Sequence, residues 1–189
     1  MVNQKNIDIG GDGNKIVGGN DNSTTNNITI QPSGKLSSLF SKLKEQFEEG
    51  EKISNISNDL IRYTSDRDII GLEEKLKLAQ KQHLFEDFSW LKQEFHKKLL
   101  LYQEYAPAQE IFAFILAIVL DRYRNIIRPM LQSGSSESDV LRSISQEVTR
   151  PILDLIHQEG CDDIIGISST EIEGMFHYLT GTCHIKWAV

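Results

Sequence analysis

Cysteine is scarce in this sequence: Cys161 and Cys183 are the only two in 189 residues. Two thiols cannot build a disulfide framework, and no signal peptide precedes them, so the expectation is a cytoplasmic protein held by packing alone. Basic residues are also in deficit, with 20 Lys and Arg against 27 Asp and Glu and a formal net charge of -7. A protein built to neutralise nucleic-acid phosphates needs a basic face, so direct nucleic-acid binding is not expected. Long apolar runs are missing too. The longest, "IFAFILAIVL" at 111–120, has ten residues and stops at Asp121. A spanning helix needs about twenty, so this run reads as a buried core helix and no membrane partner is expected.

The first 34 residues have a different character from the rest and hold six of the thirteen glycines. Within "NIDIGGDGNKIVGGNDNSTTNNITI" (6–30), the β-branched residues Ile7, Ile9, Ile16, Val17, Ile28 and Ile30 are set between glycine- and asparagine-rich turns. Glycine and asparagine tolerate positive φ, so the pattern is strand–turn–strand chemistry. The aliphatic area such a ribbon can bury falls short of the entropy lost in ordering it, and lone hairpins are marginal in any case. Pairing with copies from other subunits would cover both the edges and the isoleucine faces. Residues 3–30 are therefore expected to join subunits into a homo-oligomer, with "QPSG" (31–34) as the boundary.

From Lys35 the period becomes helical. Leu36, Leu39, Phe40, Leu43 and Phe47 form one stripe that ends at Gly50, and Ile53, Ile56, Leu60 and Tyr63 suggest a second. A helix interrupted near Gly71 is expected over 66–80. A strongly amphipathic one is expected over 86–105, on Phe88, Leu91, Phe95, Leu99 and Tyr102. Residues 106–130 should lie at the centre, with Pro107 in the first turn. Ser138 is a candidate cap for a helix over 139–158 that Pro151 should kink. Ser168 and Glu171 have capping-box spacing for a last helix. The fold expected is mainly α: a bundle of six to seven helices over 35–189, carrying a short β element over 1–34.

Motifs for chemistry fail one by one. "GGDGNKIVGG" lacks the Gly-Lys-Ser/Thr ending of a phosphate loop and opens no helix. The calcium β-roll repeat would need a ligand aspartate where Lys15 stands, which leaves Asp12 and Asp21 as turn residues. His157, Cys161, His177, Cys183 and His184 match no common zinc spacing, with Gly160 breaking the first pair. Cys183 and His184 are adjacent, which is poor geometry for a dyad. Glu48, Glu49, Glu73, Glu74, Glu171 and Glu173 read as solvated faces. No cofactor is implied, and the chain is not expected to be an enzyme.

The closing stretch "EIEGMFHYLTGTCHIKWAV" (171–189) resembles the end of a C-terminal domain type of bacterial ABC three-component systems, which are related to the Lamassu anti-phage systems. The sharpest part comprises Gly174, Leu179, Thr180 and Gly181 followed by Cys183, His184, Ile185, Lys186 and Trp187. Residues 67–80, 95–120 and 148–156 extend the resemblance to about 36–189. It implies a domain that couples an effector to an SMC-like ABC ATPase and a small middle component. Only some 34 residues precede the helical part, too few for a catalytic effector, so the resemblance implies a scaffold or adaptor. The other reading is a sensor whose assembly is switched by a small ligand or phage product. Its pocket would lie between the last two helices, near Gly174, His177, Thr180, Gly181, Cys183, His184 and Trp187.

Overall fold

The computed structural model describes residues 33–65 and 70–188. The expected subunit-joining residues Ile7, Ile9, Ile16, Val17, Ile28 and Ile30 lie outside the described residues. The regular secondary structure of the described residues is all helical. In order the helices are α1 (Lys35–Glu49), α2 (Asn58–Thr64), α3 (Leu72–Leu78), α4 (Phe85–Tyr102), α5 (Ala106–Arg122), α6 (Arg128–Gln132), α7 (Glu137–Ser143), α8 (Arg150–Gln158) and α9 (Ser169–Gly181). A π-type segment at Tyr123–Ile127 fuses α5 to α6, and another at Ile144–Thr149 fuses α7 to α8. The nine segments therefore make seven rods, within the six to seven expected.

Both π segments end just before a proline, Pro129 and Pro151. Proline has no N–H to give and its ring crowds the carbonyl four residues back. Widening the preceding turn relieves that crowding and keeps the rod continuous. The Arg128 N–H donates to Tyr123 O and the Arg150 N–H to Ser145 O, each reaching five residues back. The kink expected at Pro151 thus takes the form of a π segment.

α5 is the centre of the bundle. Ile111, Phe112, Ile115, Leu116 and Val119 are wholly buried, and the helix packs against α1, α2 and α9. α1 contributes Leu36, Leu39, Phe40 and Leu43 as its stripe required. Phe47 departs from that stripe, lying about half exposed with its ring against Tyr102 and Tyr105. Gly50 ends the helix at φ 71, a left-handed turn that suits glycine. The N-terminus of α1 has no side-chain cap of its own. Glu159, from the loop after α8, accepts from Ser33 N and Ser37 N at 3.0 and 3.1 Å and satisfies those donors from a distance.

Three local expectations are corrected. Ile53 and Ile56 are not helical; they stand partly exposed in the 50–57 connection, because Ser57 caps α2 and the helix starts only at Asn58. Buried Gln109 holds that connection in place. Its Oε1 accepts from Ser57 N at 2.7 Å, and its Nε2 donates to Asn55 O at 3.0 Å and Gln103 O at 2.6 Å. Ser136, not Ser138, caps α7, its hydroxyl accepting from Asp139 N. Glu171 and Glu173 are not on a solvated face. Glu171 is buried within the capping box it forms with Ser168, and Glu173 is half-buried.

Candidate functional site

α9 lies across α4, and this pair has the most extensive packing of any two helices among the described residues. Gly174 sets how closely they approach. A β-carbon there would overlap the Leu91 carbonyl oxygen and stand 2.8 Å from Phe95 Cβ. At Gly181 the neighbour is only the mobile tip of Lys92, 2.8 Å from where a β-carbon would sit. Around this crossing, Phe95 meets Phe112 and Tyr178 edge-on.

The chain after α9 folds back as a strap. The exposed carbonyls at the end of the helix need partners, and Lys75 of α3 donates to Thr180 O and, at 3.1 Å, to Gly181 O. Cys183 makes the turn with φ 66, and Ile185 and Trp187 then enter the core. Tyr123, in the first π segment, fastens the strap. Its hydroxyl donates to Lys186 O at 2.8 Å and accepts from Lys186 N at 3.1 Å. Burial pushes the Tyr123 phenol up from its ordinary value.

Trp187 and His177 both pack against Phe88. The His177 ring stacks on Phe88 at 3.6 Å between centroids, and Trp187 lies tilted at 5.3 Å. His177 is 2% exposed, and its Nδ1, like the Trp187 Nε1, has no hydrogen-bond partner among the described residues. With no counter-charge to offset desolvation, burial pushes the His177 pKa down to about 3, so the ring is neutral at physiological pH.

In place of the single pocket expected between the last two helices, the named residues are distributed over two cavities. One cavity of about 220 Å³ is lined by Lys75, Cys183, Lys186 and Trp187 with Ile70 and Leu78. The other, a groove of about 350 Å³, has His177 in its wall and lies between the start of α4 and the α7–α8 rod. Thr180 lines neither; it is buried, with its hydroxyl on Phe176 O. His184 packs against Tyr63, and Gly174 and Gly181 serve packing. Cys183 and His184 occupy a turn, not a strand. Cys161 lies apart from them after α8, half-buried, with its thiol pushed up to about 11 by burial. Among the described residues no three His, Cys, Asp or Glu side chains converge as metal ligands, and no helix is long and apolar enough to cross a membrane.

The groove also holds residues that sequence reasoning did not select. Asp87 and Trp90 come from the first turns of α4, and Glu173 stands one turn before His177 on α9. The Glu173–His177 spacing of four was legible as a shared helix face. That α4 would complete the wall was not, because it depends on the crossing at Gly174.

Comparison with curated proteins and with solved structures finds no match. A family model does match, that of C-terminal domain 9 of the ABC-three component (ABC-3C) systems, over residues 71–187. The matched span begins one residue before α3 and ends at Trp187, so it takes in the α4–α9 crossing, the groove, most of the smaller cavity's lining and the strap as far as Trp187. The helices α1 and α2 precede it but share its core, through Leu36, Phe40, Leu43 and Leu60. The chain belongs to the family of C-terminal domain 9 of the ABC-three component systems.

Proposed function

We propose that this chain is a non-catalytic, homo-oligomeric scaffold or adaptor of a bacterial anti-phage ABC three-component system. Its helical domain docks an effector or the SMC-like ABC ATPase component, and its leading segment sets the number of subunits. The observation that carries this reading is the family match over a body whose distinctive residues serve packing. Gly174 spaces two helices, Thr180 bonds within its own helix, and Trp187 anchors the strap. Large apolar side chains left in solvent suit docking better than turnover, and Trp90, Leu100 and Leu101, all more than half exposed, lie along α4.

The test is co-expression with an SMC-like ATPase and a middle component of an ABC three-component system from the same source, tandem purification through a tag on this chain, and a phage challenge. The proposal expects a stable complex and protection lost on deletion of this chain. A chain that purifies alone and is dispensable for protection contradicts it.

A second reading, a sensor switched by a small ligand or phage product, is favoured by the cavity beside Cys183 and Trp187, whose buried indole N–H has no partner among the described residues. A ligand binding only the native state must stabilise it. Infected-cell extract that raises the melting temperature, where uninfected extract does not, would select this reading.

A further inference from the structure

The groove between α4 and the α7–α8 rod has an unusual polar inventory. Its walls and floor are apolar, with Phe88, Leu91 and Ile144, and Trp90 stands at its edge 54% exposed. Into this setting project two carboxylates, Asp87 and Glu173, and neither is paired with a lysine, arginine or histidine among the described residues. Asp87 is in the first turn of α4, the end of a helix at which acidic side chains are commonly placed. Burial pushes the Glu173 carboxyl up from its ordinary value, and only the Thr149 hydroxyl opposes this. A carboxylate left half-buried without a cation is costly, so it is a place where a partner's charge gains most. The third polar group is the buried His177, neutral and with Nδ1 unpartnered among the described residues.

We infer that this groove is a docking site for an arginine side chain presented by a partner polypeptide of the same system. The inference rests on the docking role proposed above and names the chemistry of the contact. Guanidinium fits the inventory better than ammonium does. It is planar, carries five N–H donors for carboxylates placed at separate points, and lies flat on an indole face such as that of Trp90. The groove volume of about 350 Å³ admits one such side chain with an apolar neighbour. The net charge of -7 draws basic segments toward the surface.

The full-length protein is titrated with the tripeptide acetyl-Leu-Arg-Leu-amide, its citrulline counterpart and free L-arginine, following the Trp90 indole N–H by NMR. Thermal unfolding of D87N and E173Q confirms that both variants fold. The inference expects saturable shifts with the arginine tripeptide, at least ten-fold weaker binding of the citrulline peptide, and at least a ten-fold loss in each variant. Equal binding of citrulline and arginine peptides overturns it, as does binding unaffected by E173Q. Free L-arginine binding as tightly as the tripeptide would make this a small-molecule site and overturn the docking assignment. In co-purification, a double D87N/E173Q variant should lose its partner. If that variant keeps its partner, the groove assignment fails and the scaffold reading stands. If wild type recruits no partner yet binds the arginine tripeptide selectively, the scaffold reading fails instead.

Discussion

Replacing Gly174 by alanine sets two effects of known sign against each other. Inside a helix, alanine is better than glycine by about 1 kcal/mol, so G174A would stabilise α9 if the site were open. The site is closed, because the new methyl would overlap Leu91 O and press on Phe95 Cβ. The obstructing atoms are backbone and the root of a side chain, so relief requires α4 and α9 to separate along their whole crossing. Overpacking of this kind costs about 1–3 kcal/mol, occasionally more. Because the clash is with backbone, the cost falls at the upper end of that range, about 2–3 kcal/mol, and the propensity gain leaves a net loss of about 1–2 kcal/mol. At this chain length that lowers the melting temperature by about 2–8 °C. G181A is the matched control. It adds the same methyl at the end of the same helix, but its neighbour is the flexible end of Lys92, so stability should hold or rise slightly. Thermal unfolding of both variants by far-UV circular dichroism decides the matter. A G174A protein as stable as wild type would refute the claim that this glycine sets the α4–α9 distance.

Three further perturbations follow from single contacts. Q109A removes three hydrogen bonds from a buried amide and should cost roughly 2–3 kcal/mol, with hydrogen exchange rising first across 51–57. Q109E should not rescue it, because a carboxylate cannot donate to Asn55 O and Gln103 O. His177 is held neutral in the fold with its pKa lowered from 6.5 to about 3. The unfolded chain therefore binds one more proton between those values; the stabilisation is complete above pH 6.5 and is lost as pH falls toward 3. Near pH 5 the loss is about 2 kcal/mol, and urea unfolding of H177F should show a correspondingly smaller drop between pH 7 and pH 5. K75M removes the side-chain donor shared by the carbonyls of Thr180 and Gly181 and should speed exchange across 182–188 while leaving α5 protected. Equal acceleration everywhere would mean the strap is not separately fastened.

Much of this architecture follows from local pattern. The α1 stripe, the apolar run of α5 and the Ser168–Glu171 capping box each depend on residues within a turn or two of one another, and their physics is visible in the chain itself. The misassignments share one cause, dependence on distant partners. Ile53 and Ile56 have helical spacing, but the helix start is decided at Ser57, and Gln109, some 50 residues on, ties down the residues before it. Glu173 has polar neighbours in sequence, yet α9 turns it toward the α7–α8 rod and Thr149. The expected pocket named His177, Cys183 and Trp187 together, and those residues do cluster. Phe88, from α4, packs against both His177 and Trp187, yet His177 lines one cavity and Cys183 and Trp187 the other. No spacing within the last 20 residues reports an aromatic ring nearly 90 positions earlier.

Native mass spectrometry of this chain co-expressed with its proposed partners, an SMC-like ATPase and a middle component, tests the account most directly. The account predicts a complex with more than one copy of this chain bound to at least one of those components, and no turnover of nucleotide or nucleic acid by this chain alone. A monomeric, unbound chain that hydrolyses either substrate would contradict it.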